Sequence, residues 1–179
     1  LLLSAPEVVR LQLTAMFDAA AAEKGDCRIL LPMISRLDEI QAFEMILRDV
    51  LSASASRTRP QIGIMVETPA ACLMSDIFSR HVQFMSIGTN DLAAAVLSLD
   101  RFRQAGDSQF YEPAVFRLIE LAVGRATVPV AVCGEMAARP DTILPLVGLG
   151  IREISVPLSA LGGASGLREK TLDDCARIA

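Results

Sequence analysis

The feature that most restricts this chain is a regular exchange between short apolar runs and longer segments of helical periodicity. Arg28 to Met33, Ile62 to Val66, Phe84 to Ile87, Pro129 to Val132 and Glu153 to Val156 are brief, strand-like stretches. After the first of them Leu37, Ile40, Phe43, Ile46, Leu47 and Val50 recur at helical spacing, with Ser35 as the expected cap. Further helices are expected from Thr68 to about Arg80, from Leu92 to Leu99, from Pro113 to about Arg125 and near Asp141 to Val147. A helix from Pro6 to about Lys24, stopped by Gly25, precedes the first strand. Gly88-Thr89-Asn90 reads as a turn, Asp100 to Glu112 as a polar loop, and the stretch beyond Val156 as a helical tail broken by Gly162, Gly163 and Gly166. Strands alternating with helices specify a parallel sheet with right-handed crossovers, so the fold class is α/β. Two architectures meet that pattern: an open doubly wound sheet, or part of an eight-stranded barrel.

Composition removes several functions. The 179 residues are 52% hydrophobic with a net charge of −4, whereas a nucleic-acid module would carry a basic footprint. No apolar run reaches the roughly 18 residues of a membrane span. The opening Leu1-Leu2-Leu3 is too short for a secretory signal and is followed by Pro6 and Glu7. Cys27, Cys72, Cys133 and Cys175 are scattered, with no CxxC pair. A reduced, cytoplasmic protein is expected.

In either architecture, function gathers at the carboxyl ends of parallel strands. The second strand runs into Glu67, the third into Thr89-Asn90-Asp91, and the fourth into Cys133-Gly134-Glu135. Glu67 and Asp91 form a natural pair of oxygen ligands for magnesium, which retains waters and takes further oxygens from its substrate. Taken singly, either acid could instead cap the next helix. The Cys133 thiol beside a flexible glycine could be an acid or a nucleophile, or an inert buried thiol. Arg101, opening the polar loop, could grip a phosphate or carboxylate with two parallel hydrogen bonds, or simply face solvent.

Four ordered motifs go further: GIMVETPAA (Gly63 to Ala71), SIGTNDL (Ser86 to Leu92), LDR (Leu99 to Arg101) and VCGEMA (Val132 to Ala137). With LLPMISRLDEI (Leu30 to Ile40) before them and LVGLGIREISV (Leu146 to Val156) after, the set closely resembles the phosphoenolpyruvate-binding domain of enzyme I. Enzyme I is the phosphoenolpyruvate–protein phosphotransferase of the bacterial sugar phosphotransferase system. Pyruvate phosphate dikinase and phosphoenolpyruvate synthase share the domain type. The resemblance implies a (β/α)8 TIM barrel and magnesium-dependent phosphoryl transfer from phosphoenolpyruvate, releasing pyruvate. It assigns Glu67 and Asp91 to the metal, Asn90, Asp91 and Arg101 to the substrate, and Cys133 to protonation of the enolate. It also implies transfer through a histidine on a separate swivelling domain to the phosphocarrier protein HPr, and a homodimer.

The chain departs from the family in places. Ala93-Ala94-Ala95 stands where the family has Thr-Gln-Tyr, and the loop after Arg101 lacks the common Gly-Asn. A barrel of this kind takes about 250 residues. Five strands are expected of the eight, so residues 1–179 are expected to be an incomplete, carboxyl-terminal portion. The strands bearing two more phosphate-binding arginines would then be missing, and His81 matches nothing in the acceptor role. Such a portion is expected to be inactive in transfer by itself. Two other readings compete: a structural or dimerisation module, and a magnesium-dependent lyase acting on a pyruvate enolate.

Overall fold

A computed structural model describes residues 4–23, 27–53, 59–100 and 107–161. The chain runs α1 (Pro6–Glu23), β1 (Arg28–Leu31), α2 (Leu37–Ser52), β2 (Gln61–Val66), α3 (Pro69–Leu73), α4 (Ser75–Phe78), β3 (Phe84–Gly88) and α5 (Thr89–Leu97). A 3-10 turn (Asp107–Tyr111) leads into α6 (Pro113–Arg125), β4 (Val130–Cys133), α7 (Glu135–Ala138), α8 (Pro140–Gly148) and β5 (Glu153–Ile154). Every strand pairs in parallel with its sequence neighbour, giving the order β1-β2-β3-β4-β5. A doubly wound sheet needs a reversal of strand order at a switch point, and this sheet has none among the described residues. Among the described residues no helix is long and apolar enough to cross a membrane.

The register divides the side chains into two unlike faces, because successive residues of a strand point to opposite sides. On one face lie Ile29, Leu31, Ile62, Ile64, Val66, Met85, Ile87 and Val132, all buried. They share a continuous core with Ile40, Phe43 and Leu47 of α2, Phe78 of α4, and Val115 and Ile119 of α6. The opposite face carries Leu30, Met65, Phe84, Ala131 and Cys133, all half-buried, and Gly63, Ser86 and Gly88, buried, with Arg28, Gln61 and Glu153 exposed. One face is thus the core and the other is the more open.

Several boundaries differ from the sequence expectation. Ser35 does not cap α2. Its hydroxyl instead donates to Thr68 Oγ1 at 3.2 Å, while Glu39 reaches back to accept the Ser35 and Arg36 N–H groups at 2.8 and 2.9 Å. β1 stops at Leu31 because Met33 takes a left-handed backbone, φ 55°, which no strand can continue. The helix expected from Thr68 to Arg80 is broken at Met74 (φ −103°, ψ 13°) into α3 and α4. Thr68 caps α3 as its chemistry suggests, Oγ1 accepting the Ala71 N–H at 3.1 Å. The expected turn at Gly88-Thr89-Asn90 is no turn: α5 starts at Thr89, directly off the strand. β4 runs one residue further than expected, bringing Cys133 into the ladder opposite Gly88. Lys24 and Gly25, where α1 is expected to end, and Gly162, Gly163 and Gly166 of the expected tail lie outside the described residues.

Candidate functional site

The site is assembled where β2, β3 and β4 end. Glu67 follows the last residue of β2, and its side chain is almost wholly buried at 3% exposure. Two features of the surrounding backbone hold it. Oε1 accepts the N–H of Met33 at 2.6 Å, so the left-handed residue after β1 turns its amide toward this carboxylate. Oε2 lies over Gly88, where a Cβ would come within 2.9 Å of it. A carboxylate this deep is costly to keep charged without hydrogen bonds or a counter-charge, and the Met33 amide supplies one charge-assisted bond.

Cys133 ends β4 level with Gly88. The Gly88 Cβ direction leads to Glu67, so Glu67, Gly88 and Cys133 occupy successive strands on the open face. Two strand spacings separate the backbones of Glu67 and Cys133, about 10 Å. The residue between them has no side chain. The thiol is half-buried, its Sγ 3.4 Å from the carbonyl oxygen of Ile87 and 3.6 Å from the hydroxyl of Ser86. Cys72, by contrast, is fully buried in the core, where loss of solvent pushes its thiol up to about 12.

The start of α5 clamps the turn after β4. Thr89, buried, donates its hydroxyl to the Cys133 carbonyl at 2.9 Å. Asn90 Oδ1 accepts the Glu135 N–H at 2.8 Å. Between these bonds sits Gly134 (φ 94°, ψ −172°), a conformation only glycine adopts readily. Asp91 lies half-buried in the first turn of α5, where the helix dipole favours an acid. Arg101 lies outside the described residues. The far end of its loop is tied down: the Tyr111 hydroxyl donates to Asp141 and accepts from Arg139 Nε at 3.2 Å. The Arg139 guanidinium stands 5.9 Å from the Phe110 ring centroid and 5.5 Å from that of Tyr111.

The structure therefore brings Glu67 and Cys133 to one edge and places Asn90 and Asp91 on the adjoining helical turn. Met33, Ser86, Gly88 and Thr89 have structural parts in the site that residue chemistry alone did not assign. For Ser86 and Gly88 a signal was present, since period-two counting along β3 puts both on the face of Cys133. For Met33 and Thr89 there was none, because their bonds cross between turns.

Comparison with known proteins gives the family. The family model of the PEP-utilising enzymes, described as their PEP-binding domain, matches residues 1–165. The chain belongs to the PEP-utilising enzyme family. It is 41% identical over 157 residues, 81% of this chain, to the phosphoenolpyruvate-protein phosphotransferase of Haloferax volcanii. It is 38% identical over 167 residues, 90% of the chain, to the multiphosphoryl transfer protein of Rhodobacter capsulatus. Against the phosphoenolpyruvate-protein phosphotransferase of a Bacillus species it is 36% identical over 189 residues, 99% of the chain. These matches span 27%, 20% and 32% of the relatives' own lengths, so the chain corresponds to a third or less of each. The family inferred from the four motifs is the family these comparisons return.

Proposed function

We propose that this chain is the phosphoenolpyruvate-binding portion of a phosphoenolpyruvate–protein phosphotransferase, built on an arc of a (β/α)8 barrel. The observation that carries the reading is the pair Glu67 and Cys133 flanking bare Gly88 on the open sheet face. Right-handed crossovers between strictly consecutive neighbours lay every connection on one side of a sheet. A barrel is such a sheet closed on itself, and its interior corresponds to the open face described above.

Glu67 and Asp91 are the residues that would hold magnesium. The donor chemistry fits: a buried carboxylate fixed by the Met33 amide and cradled over Gly88, with a second acid on the next turn. Among the described residues no three His, Cys, Asp or Glu side chains cluster as a cage, and magnesium needs none when substrate phosphate completes its shell. When bound, magnesium withdraws charge from the phosphoryl and enolate oxygens. Asn90, its Oδ1 committed to Glu135, has its amide NH2 left to donate to the phosphate. Arg101 adds a guanidinium for the same phosphate. Cleavage of the phosphorus–oxygen bond leaves an enolate whose carbon takes the Cys133 proton. A C–H bond forms, the S–H bond breaks, and the electron pair stays on sulfur.

The phosphoryl group goes to a histidine outside this chain and on to HPr, in a cytoplasmic homodimer. His81 does not serve, because it precedes β3 and so lies at the opposite edge of the sheet from Cys133. Titration of the intact protein with magnesium and oxalate, a mimic of the enolate, tests the reading. Glu67→Ala and Asp91→Ala should each abolish magnesium-dependent oxalate binding, and unchanged binding in both would remove the metal pair.

A further inference from the structure

We infer that Ser86 is a positioning residue for the Cys133 thiol, holding the sulfur and stabilising the thiolate left once its proton has been delivered. The inference rests on the reading of Cys133 as the proton donor but is tested apart from it. Ser86 is 7% exposed, in the middle of β3, on the face that carries Cys133. A hydroxyl buried this deep must find a partner or lose its hydration without compensation. Its partner is sulfur: Ser86 Oγ donates to Cys133 Sγ at 3.6 Å, a normal separation for a hydrogen bond to a thiol. The thiol's own hydrogen points at the Ile87 carbonyl, 3.4 Å away.

The two contacts divide the work. In the protonated state the Ile87 carbonyl accepts the S–H, and the Ser86 hydroxyl caps a sulfur lone pair. Rotation about the Cβ–Sγ bond alone turns the hydrogen off Ile87 toward a carbon on the open side, with no heavy atom moving. When the S–H bond breaks and the proton joins carbon, the Ile87 carbonyl faces a new anion and offers it nothing. The Ser86 O–H is the donor that then strengthens, since a hydrogen bond to a charged acceptor is worth roughly twice one to a neutral acceptor. The ladder fixes the two backbones: Ser86 pairs with Ala131 and Gly88 with Cys133, so Ser86 and Cys133 stay diagonal neighbours on one face of the sheet.

The test is alkylation of Cys133 by iodoacetamide at fixed pH in the intact protein, read peptide by peptide by mass spectrometry. Losing a donor to the charged sulfur, worth about tenfold at the low end for such a bond, should slow alkylation about threefold in Ser86→Ala, because a sulfur without that bond is also the better nucleophile and recovers about half of the logarithm. Ser86→Thr, which keeps the hydroxyl, should restore the wild-type rate. Cys72 is the fold control, because only unfolding exposes it. Pyruvate methyl-proton exchange should fall in Ser86→Ala with the affinity for oxalate unchanged. If alkylation slows and exchange does not, the Ser86–Cys133 link stands and the proton-donor reading of Cys133 fails. An unchanged alkylation rate in Ser86→Ala, or a Thr variant as slow as Ala, overturns the inference.

Discussion

Replacing Gly134 by alanine adds one methyl group at the most constrained point of the site. Two costs are legible. The backbone there, φ 94° and ψ −172°, belongs to a region essentially reserved for glycine, and forcing another residue into it costs about 1–3 kcal/mol. The new Cβ would also fall 2.8 Å from Asn90 Oδ1 and closer still to the Thr89 hydroxyl. Neither atom is the loose end of a long side chain, since Asn90 holds the Glu135 N–H and Thr89 holds the Cys133 carbonyl. Overpacking of this kind costs a further 1–3 kcal/mol or so. The sum is about 2–6 kcal/mol, or roughly 4–24 °C in Tm for a domain of this size. Thermal unfolding followed by circular dichroism measures it. The strain should also displace the start of α5, weakening magnesium-dependent oxalate binding at temperatures where the variant is still folded. A variant that melts within a degree of the wild type and binds oxalate normally would refute both the strain and the clamp.

The same substitution at Gly124 should have the opposite sign. That glycine lies exposed in α6 with nothing within 4 Å of its Cβ position, so Gly124→Ala should gain up to about 1 kcal/mol in urea unfolding. At Met33, relief of the left-handed backbone is offset by the entropy of a new glycine. Met33→Gly should therefore change stability by less than about 1 kcal/mol while keeping the amide that holds Glu67, and so keep oxalate binding. Tyr111 is the chain's single tyrosine, so phenolate absorbance reads it alone. Its hydrogen bond to Asp141 raises the phenol's pKa above 10 and lowers the carboxyl's. The bond therefore contributes in full from the ordinary aspartate range up to the ordinary tyrosine range. It is lost as pH falls through the depressed Asp141 value or rises through the raised Tyr111 value. Asp141→Asn should return the Tyr111 midpoint toward 10.

The alternation of apolar runs was enough to place all five strands, and the polar residues after them were enough to locate Glu67 and Cys133. What escaped was the local geometry at the joints. The break at Met74 is invisible because Ala71, Ser75, Phe78 and Val82, all buried, keep helical spacing straight through it. Ser35 has the chemistry of a cap, yet the competing bond to Thr68 depends on where β2 ends, which no local pattern encodes. Likewise Gly88-Thr89-Asn90 has turn composition. Its third dimension is supplied by β4: Thr89 and Asn90 spend their oxygen atoms on Cys133 and Glu135, some 45 residues away, and the segment becomes helical at once.

The bare backbone at Gly88 links these findings. Any side chain there would project onto the open face between Glu67 and Cys133 and collide with the Glu67 carboxylate and with Met65 Sδ, 3.0 Å from the Cβ position. Glycine does two things at this point. It lets the carboxylate lean across from β2 toward the start of α5, where Asp91 sits, and it leaves the span of about 10 Å to Cys133 without a protein group of its own. The open face accounts for the polarity pattern as well: Gly63 lies under the Phe84 ring deeper in the sheet, closing the floor, while Ser86 and Gly88 open it toward the strand ends. The order along β3, aromatic then hydroxyl then glycine, is a floor, a thiol partner and a gap.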